Sequence, residues 1–113
     1  TFLFTGDIYW EREDLLIEAQ GEKIKADVLK VPHHGSHTSS STQFIKAVEP
    51  KIAIMTSTSP SKEVYDRYRR NKSEVFITGL DGNILVTSDG KNIEVIQVIM
   101  IDFRRCMVWP KHL

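Results

Sequence analysis

Residues 26–36 read ADVLKVPHHGS, a brief apolar strand that ends at a proline and opens at once into a histidine turn. Val28–Val31 supplies the strand, and Pro32, with its fixed φ and missing N–H, stops it. Three of the four histidines, His33, His34 and His37, fall within the next few positions. An open α/β sheet places its chemistry where strands give way to loops at their carboxyl ends. Neutral imidazole is also the commonest metal donor near neutral pH. Neighbouring side chains diverge along extended backbone, so His33 and His34 do not readily hold one ion from a strand. A turn relaxes that limit, and Gly35 lets the backbone approach closely. One of the pair is then the ligand, and the other is available to a second ion or as a proton donor. A polar surface turn with chance histidines is the plainer alternative.

Upstream, Phe2–Thr5 is a second apolar run, and it ends at Gly6-Asp7. Two strand ends of one sheet then both present metal-binding side chains. A carboxylate has two oxygens and can bridge ions about 3.5–4 Å apart, the separation of two-metal hydrolases. Asp after Gly is by itself ordinary turn chemistry. Taken with the histidine turn, it favours a metal site built on Asp7, His34 and His33.

The remainder alternates strand and helix. Leu15, Leu16 and Ala19 share a face of a helix over Glu11–Gln20, and Gly21 can end it. A helix over 41–48 gathers Phe44, Ile45 and Val48, and Ser40 with Gln43 has capping-box spacing. Ile52–Met55 reads as a strand, and Ser59-Pro60 as an N-cap and first-turn pair. Val64, Tyr65 and Tyr68 fall on one side of the helix that follows. Val75–Thr78 is a fourth strand. Asp81-Gly82 turns into Asn83–Thr87, and Asp89-Gly90 leads to a long strand from Ile93 to Ile101. The expectation is an α/β domain over residues 1–100 with an antiparallel edge. The tail 101–113 is a final strand, a docked segment or sequence foreign to the domain.

Composition narrows the rest. With 113 residues, 41% of them hydrophobic, the chain has material for one domain. No apolar run approaches the roughly eighteen residues that span a bilayer. The opening TFLFTGD lacks a basic region and a cleavage site, and reads as a strand entered mid-fold, which suggests a fragment. Fifteen basic residues balance fifteen acidic ones, so the overall charge leaves no polyanion-binding footprint. A local strip, Arg67, Arg69, Arg70 and Lys72, offers phosphate contacts, although helix ends favour cations anyway and a solvated face is the simpler reading. Cys106 is the one cysteine, which excludes a disulfide framework and a cysteine metal cluster.

FTGD at residues 4–7, KVPHHGSHTSS at 30–40 and TSDG at 87–90 together resemble the later motifs of the metallo-β-lactamase superfamily. The branch they are most similar to is the hydrolase domain of ComEC-type competence proteins, and the likeness covers roughly residues 1–95. It implies the C-terminal half of an αββα sandwich, with a mixed sheet and flanking helices. It also implies that Asp7 bridges two Zn²⁺ or Mn²⁺ ions. The family's proline-X-histidine-glycine arrangement makes His34 the ligand, leaving His33 to support it, donate a proton or join the metal set. Ser36 and His37 would line the cleft. The implied function is metal-dependent hydrolysis of a phosphoester, with DNA during uptake as the implied substrate, at the extracytoplasmic face of a bacterial membrane or in a secreted protein.

Two departures stand out. The family's His-X-His-X-Asp-His motif and a separate histidine before TGD are absent, so the chain is expected to be inactive alone and short of metal ligands. Ser59-Pro60-Ser61 also stands where the branch often has Gly-His-Pro. The opposing reading is a non-catalytic α/β assembly or partner-binding module with an incomplete metal site. A half-fold would also bare an apolar sheet face, which predicts a homodimer or strand exchange.

Overall fold

The computed structural model describes residues 1–102 and 105–112, with side chains through Gln97. Four parallel strands, β1 (Phe2–Phe4), β2 (Val28–Lys30), β3 (Ile52–Met55) and β4 (Glu74–Ile77), lie side by side in chain order. Helices α1 (Trp10–Gln20), α2 (Thr42–Val48) and α3 (Lys62–Arg70) make the three crossovers. Strand–helix–strand crossovers are right-handed, so a sequential strand order sends every connecting helix to the same face. The core bears this out: Leu29, Ala53, Met55 and Ile77 of the sheet meet Phe44, Ile45, Val48, Val64 and Tyr68 of α2 and α3. Leu16 and Ile17 of α1 pack against the same cluster. A fully buried side chain of this size is worth about 1.5–3 kcal/mol.

The alternate residues of the same strands face the other way. There Val28, Ile52 and Phe76 pack against Val95, Ile84, Val86 and Ile93. These come from β5 (Asn83–Ser88) and β6 (Ile93–Asp102), which with β7 (Arg105–His112) form a three-stranded antiparallel sheet. The fold is thus α/β, with parallel and antiparallel strands and flanking helices, and the antiparallel strands form a sheet of their own. That sheet covers much of the face expected to be bare. What stays open lies at β1, where Phe4 is 72% exposed and Phe2 42%. Within the tail, 105–112 is strand; residues 103, 104 and 113, and the side chain of Cys106, lie outside the described residues.

Several local expectations shift. The α2 cap is Ser41, whose hydroxyl accepts from Phe44 N, not Ser40. The α3 cap is Ser61, accepting from Val64 N, not Ser59. On α1 the inward face is Glu13, Leu16 and Ile17, while Leu15 and Ala19 are exposed. Thr78 leaves β4 to open a one-turn helix, α4 (Thr78–Asp81).

Candidate functional site

All four parallel strands end at one edge, so the segments after β1, β2 and β3 are neighbours. Gly6-Asp7 follows β1, the histidine turn follows β2, and Thr56 follows β3. His33 N donates to Gly6 O at 3.1 Å, which ties the first two segments together. Within the turn both histidines take left-handed backbone, His33 at φ 50° and His34 at φ 57°. Each such non-glycine residue costs on the order of 1–3 kcal/mol, and strain of this kind concentrates at functional sites. The turn is held by its own environment. At Gly35, with φ +83°, a Cβ would sit 3.0 Å from Pro60 Cβ and 3.2 Å from Met55 Sδ, so only glycine fits without displacing them.

His34 is oriented from behind. Its Nδ1 lies 3.0 Å from Thr56 O and 2.7 Å from Thr56 Oγ1. A carbonyl can only accept, so the first contact places a proton on Nδ1, and in the neutral ring the lone pair is then on Nε2. That nitrogen faces Asp7 Oδ1 at 3.4 Å. A proton on Nε2, which makes the ring an imidazolium, or a cation between the two atoms satisfies such a pair. The distance exceeds the 2.7–2.9 Å of a charge-assisted hydrogen bond. It matches the roughly 3.3 Å between two ligands about 2.0–2.1 Å from one tetrahedral ion. A ligand imidazole whose second nitrogen donates to a carbonyl is the usual arrangement at metal sites. The pair is open to solvent, with His34 51% and Asp7 60% exposed.

His33 turns elsewhere. Its Nδ1 meets Thr38 Oγ1 at 3.1 Å, Thr38 Oγ1 meets Ser36 Oγ at 3.0 Å, and the ring is edge-on to Tyr9 with centroids 5.0 Å apart. The two histidine rings are 6.5 Å apart and tilted. Asp7 and His34 are therefore brought together, with His33 beside them in its own set of contacts. Among the described residues no group of three or more His, Cys, Asp or Glu side chains is placed to hold an ion. The donor chemistry fits a metal, and the donor number falls one short of the three protein ligands of a catalytic zinc.

A cleft of about 300 Å³ runs beside the pair, between His33–His37 on one side and Ser57 with Ser59-Pro60-Ser61 on the other. Ser36 and His37 line it, as the resemblance implies. Its far wall is pinned by α4. Gly79 N donates to Ser57 O at 2.9 Å, and a Cβ on Gly79 would fall 2.5 Å from Thr58 Cα.

The rest of the loop to α2 is anchored to the helix layer. Trp10 N donates to Thr38 O at 3.1 Å, and Ser39 Oγ donates to Ile8 O. Glu13, fully buried, accepts from the backbone N–H groups of Ser40 and Ser41. Ser40 Oγ meets Tyr68 OH at 2.8 Å, and Arg67 donates to Ser40 O at 3.1 Å. Burial pushes the Tyr68 phenol pKa well up, opposed by the Ser40 hydrogen bond. Thr56, Thr38 and Tyr9 were not singled out from the sequence. Thr56 had the clearest signal, because it follows a strand at the edge that drew attention to Asp7 and His33.

No family model and no solved structure matches the chain. Among curated proteins, it is 35% identical over 101 residues to recombination protein 2 of Haemophilus influenzae, covering 84% of this chain and 12% of that protein. Over 86 residues it is 35% identical to competence protein ComA of Neisseria gonorrhoeae, covering 71% and 12% respectively. It is 34% identical over 90 residues to ComE operon protein 3 of Bacillus subtilis, again 74% of this chain and 12% of the relative. The chain thus spans about an eighth of the length of these relatives. Among the described residues, no helix is long and apolar enough to cross a membrane.

Proposed function

We propose, from the Asp7–His34 pair and the similarity to competence and recombination proteins, that this chain is part of a metal-dependent phosphodiesterase linked to DNA uptake. Its fold would be the C-terminal half of a metallo-β-lactamase domain, acting at the extracytoplasmic face of a bacterial membrane or in a secreted protein. The observation that carries this reading is His34 Nε2 facing Asp7 Oδ1 at 3.4 Å while Thr56 fixes the opposite nitrogen.

Asp7 and His34 would hold the metal. Two Zn²⁺ or Mn²⁺ ions bound there would lower the pKa of a water toward neutrality and polarise the attacked phosphoryl group. The chain's own residues do the rest. Asp7 presents Oδ1 to the site, and Thr56 keeps His34 in the tautomer whose Nε2 can ligate. His33 has Nδ1 engaged by Thr38 and so presents Nε2 as the position from which a proton reaches a leaving oxygen. The cleft beside His33, His37 and Ser36 has room for an esterified phosphate.

With two ligands in hand, the missing donors would come from sequence outside this chain, and the chain alone would be inactive. The same shortfall is what favours the alternative, a non-catalytic assembly or partner-binding module. The two readings separate on metal content and hydrolysis of bis(p-nitrophenyl) phosphate, measured for the chain alone and for a longer protein that includes the preceding segment. Activity that appears only in the longer protein supports the hydrolase. Its absence in both, without bound metal, supports the module.

A further inference from the structure

On the helix layer, α2 and α3 enclose a cleft of about 220 Å³ that shares no lining residue with the histidine cleft. Its walls are Thr42, Ile45 and Lys46 from α2, and Arg67, Arg70 and Asn71 from α3 and its end. Three cations and two neutral hydrogen-bonding side chains converge there, and no lining residue is acidic.

The cations differ in their surroundings. Arg67 is fixed, one guanidinium nitrogen on Ser40 O at 3.1 Å and the other on Glu63 Oε1 at 2.6 Å. Lys46 and Arg70 are exposed and make no ion pair among the described residues. Arg69 and Lys72, near the same end of α3, are exposed as well but do not line the cleft. Helix dipoles explain why cations gather in the last turns of α2 and α3. They do not explain why cations from two helices share one concavity in which only Arg67 is met by a carboxylate, Glu63 at its edge, in a chain whose net charge is zero.

We infer that the α2–α3 cleft, through Lys46, Arg67 and Arg70, grips the phosphates of a nucleic-acid strand at a place separate from the histidine cleft. The two cations without an ion pair, Lys46 and Arg70, stand on different helices and can each take a separate phosphate, which is why a polymer of phosphates suits the cleft better than a free ion. A planar guanidinium fork matches phosphate oxygens two at a time, and Arg70 is free to offer one. Binding here needs no metal, so it holds or fails independently of the hydrolase reading.

The test is equilibrium binding of a fluorescein-labelled oligothymidylate in the presence of EDTA, across a salt series. Paired substitution Lys46→Ala with Arg70→Ala is expected to weaken binding about tenfold at moderate salt. It should also flatten the slope of log K against log salt by about 1.4, two contacts at ~0.7 each for a single strand. Lys23→Ala with Lys91→Ala removes the same charge from exposed positions outside the cleft and is expected to leave both quantities unchanged. Arg70→Lys keeps the charge but not the fork, and is expected to leave the salt slope unchanged while weakening binding less than Arg70→Ala. The inference is overturned if the control pair weakens binding as much as the cleft pair, or if the cleft pair has no effect. It is equally overturned if the oligonucleotide does not bind, or if inorganic phosphate competes at equal concentration, which would make this a small-anion site.

Discussion

Asp7 Oδ1 and His34 Nε2 meet at 3.4 Å across the carboxyl edge of the parallel sheet, each delivered by the end of a different strand. The register that sets Phe4 beside Lys30 fixes where both strands stop, so the site depends on strand pairing. A shift of β1 by one residue would turn Leu3 out of the core and carry Asp7 away from His34.

The hydrogen bond from Thr56 should matter more to metal affinity than to folding. Thr56→Val keeps the shape and the carbonyl contact but removes the 2.7 Å hydroxyl contact to Nδ1. In a protein with the complete ligand set, metal affinity is expected to fall about tenfold, the lower end for loss of a partner behind a ligand. Stability should change by no more than about 1 kcal/mol. Metal titration beside urea unfolding of the same variant reads both.

Gly35→Ala should damage the turn through the backbone. A φ of +83° is unfavourable for alanine, and the new methyl would press on Pro60 and Met55. A loss of about 2 kcal/mol or more in urea unfolding is expected, where an unstrained glycine-to-alanine replacement would instead gain ~0.4–1 kcal/mol. A neutral result would mean that the left-handed turn is not maintained in solution.

Tyr68 gives the fold an alkaline limit. Burial raises its pKa in the folded protein above the roughly 10 of an unfolded chain. Above pH 10 the unfolded state therefore binds fewer protons than the native one, and stability falls as pH rises toward the folded value. Below pH 10 the contribution is complete. Tyr68→Phe loses about 1 kcal/mol at neutral pH with the Ser40 hydrogen bond, and should show a shallower decline above pH 10. Equal declines in the two proteins would assign the alkaline loss to other groups.

Much of the fold could be read locally. Ile52–Met55 matches its strand because an apolar run bounded by Lys51 and Thr56 leaves little choice of ends. The caps were harder. The stretches 39–41 and 57–61 each offer several serines of equal capping chemistry, and tertiary contacts decide among them: Ser40 is drawn to Tyr68 and Glu13, so Ser41 caps. Glu13 could not be read as buried, because what makes its burial tolerable is two backbone N–H groups from a distant loop. At the site, Asp7 and the histidines were legible from strand ends, but the division of partners between His33 and His34 was not. It follows from two left-handed residues that send adjacent rings to Thr38 and Thr56.

The open part of the sheet predicts self-association. β1 pairs only with β2 among the described strands, and Phe2 and Phe4 are exposed on the apolar side. An unprotected edge and an exposed apolar patch both favour pairing with another chain. Sedimentation equilibrium of the chain should show a dimer that Phe4→Lys shifts toward monomer. A wild-type monomer at high concentration would contradict this.

The central claim is that Asp7 and His34 act together on one metal site. It is tested most directly by zinc stoichiometry and bis(p-nitrophenyl) phosphate hydrolysis in a longer protein that includes the preceding segment, comparing wild type with Asp7→Asn, His34→Ala and the double variant. Each single substitution is expected to lower hydrolysis at least about a hundredfold and to reduce bound zinc, with the double variant little worse than either, as for residues acting as one unit. Full metal content and activity in either single variant would contradict the account.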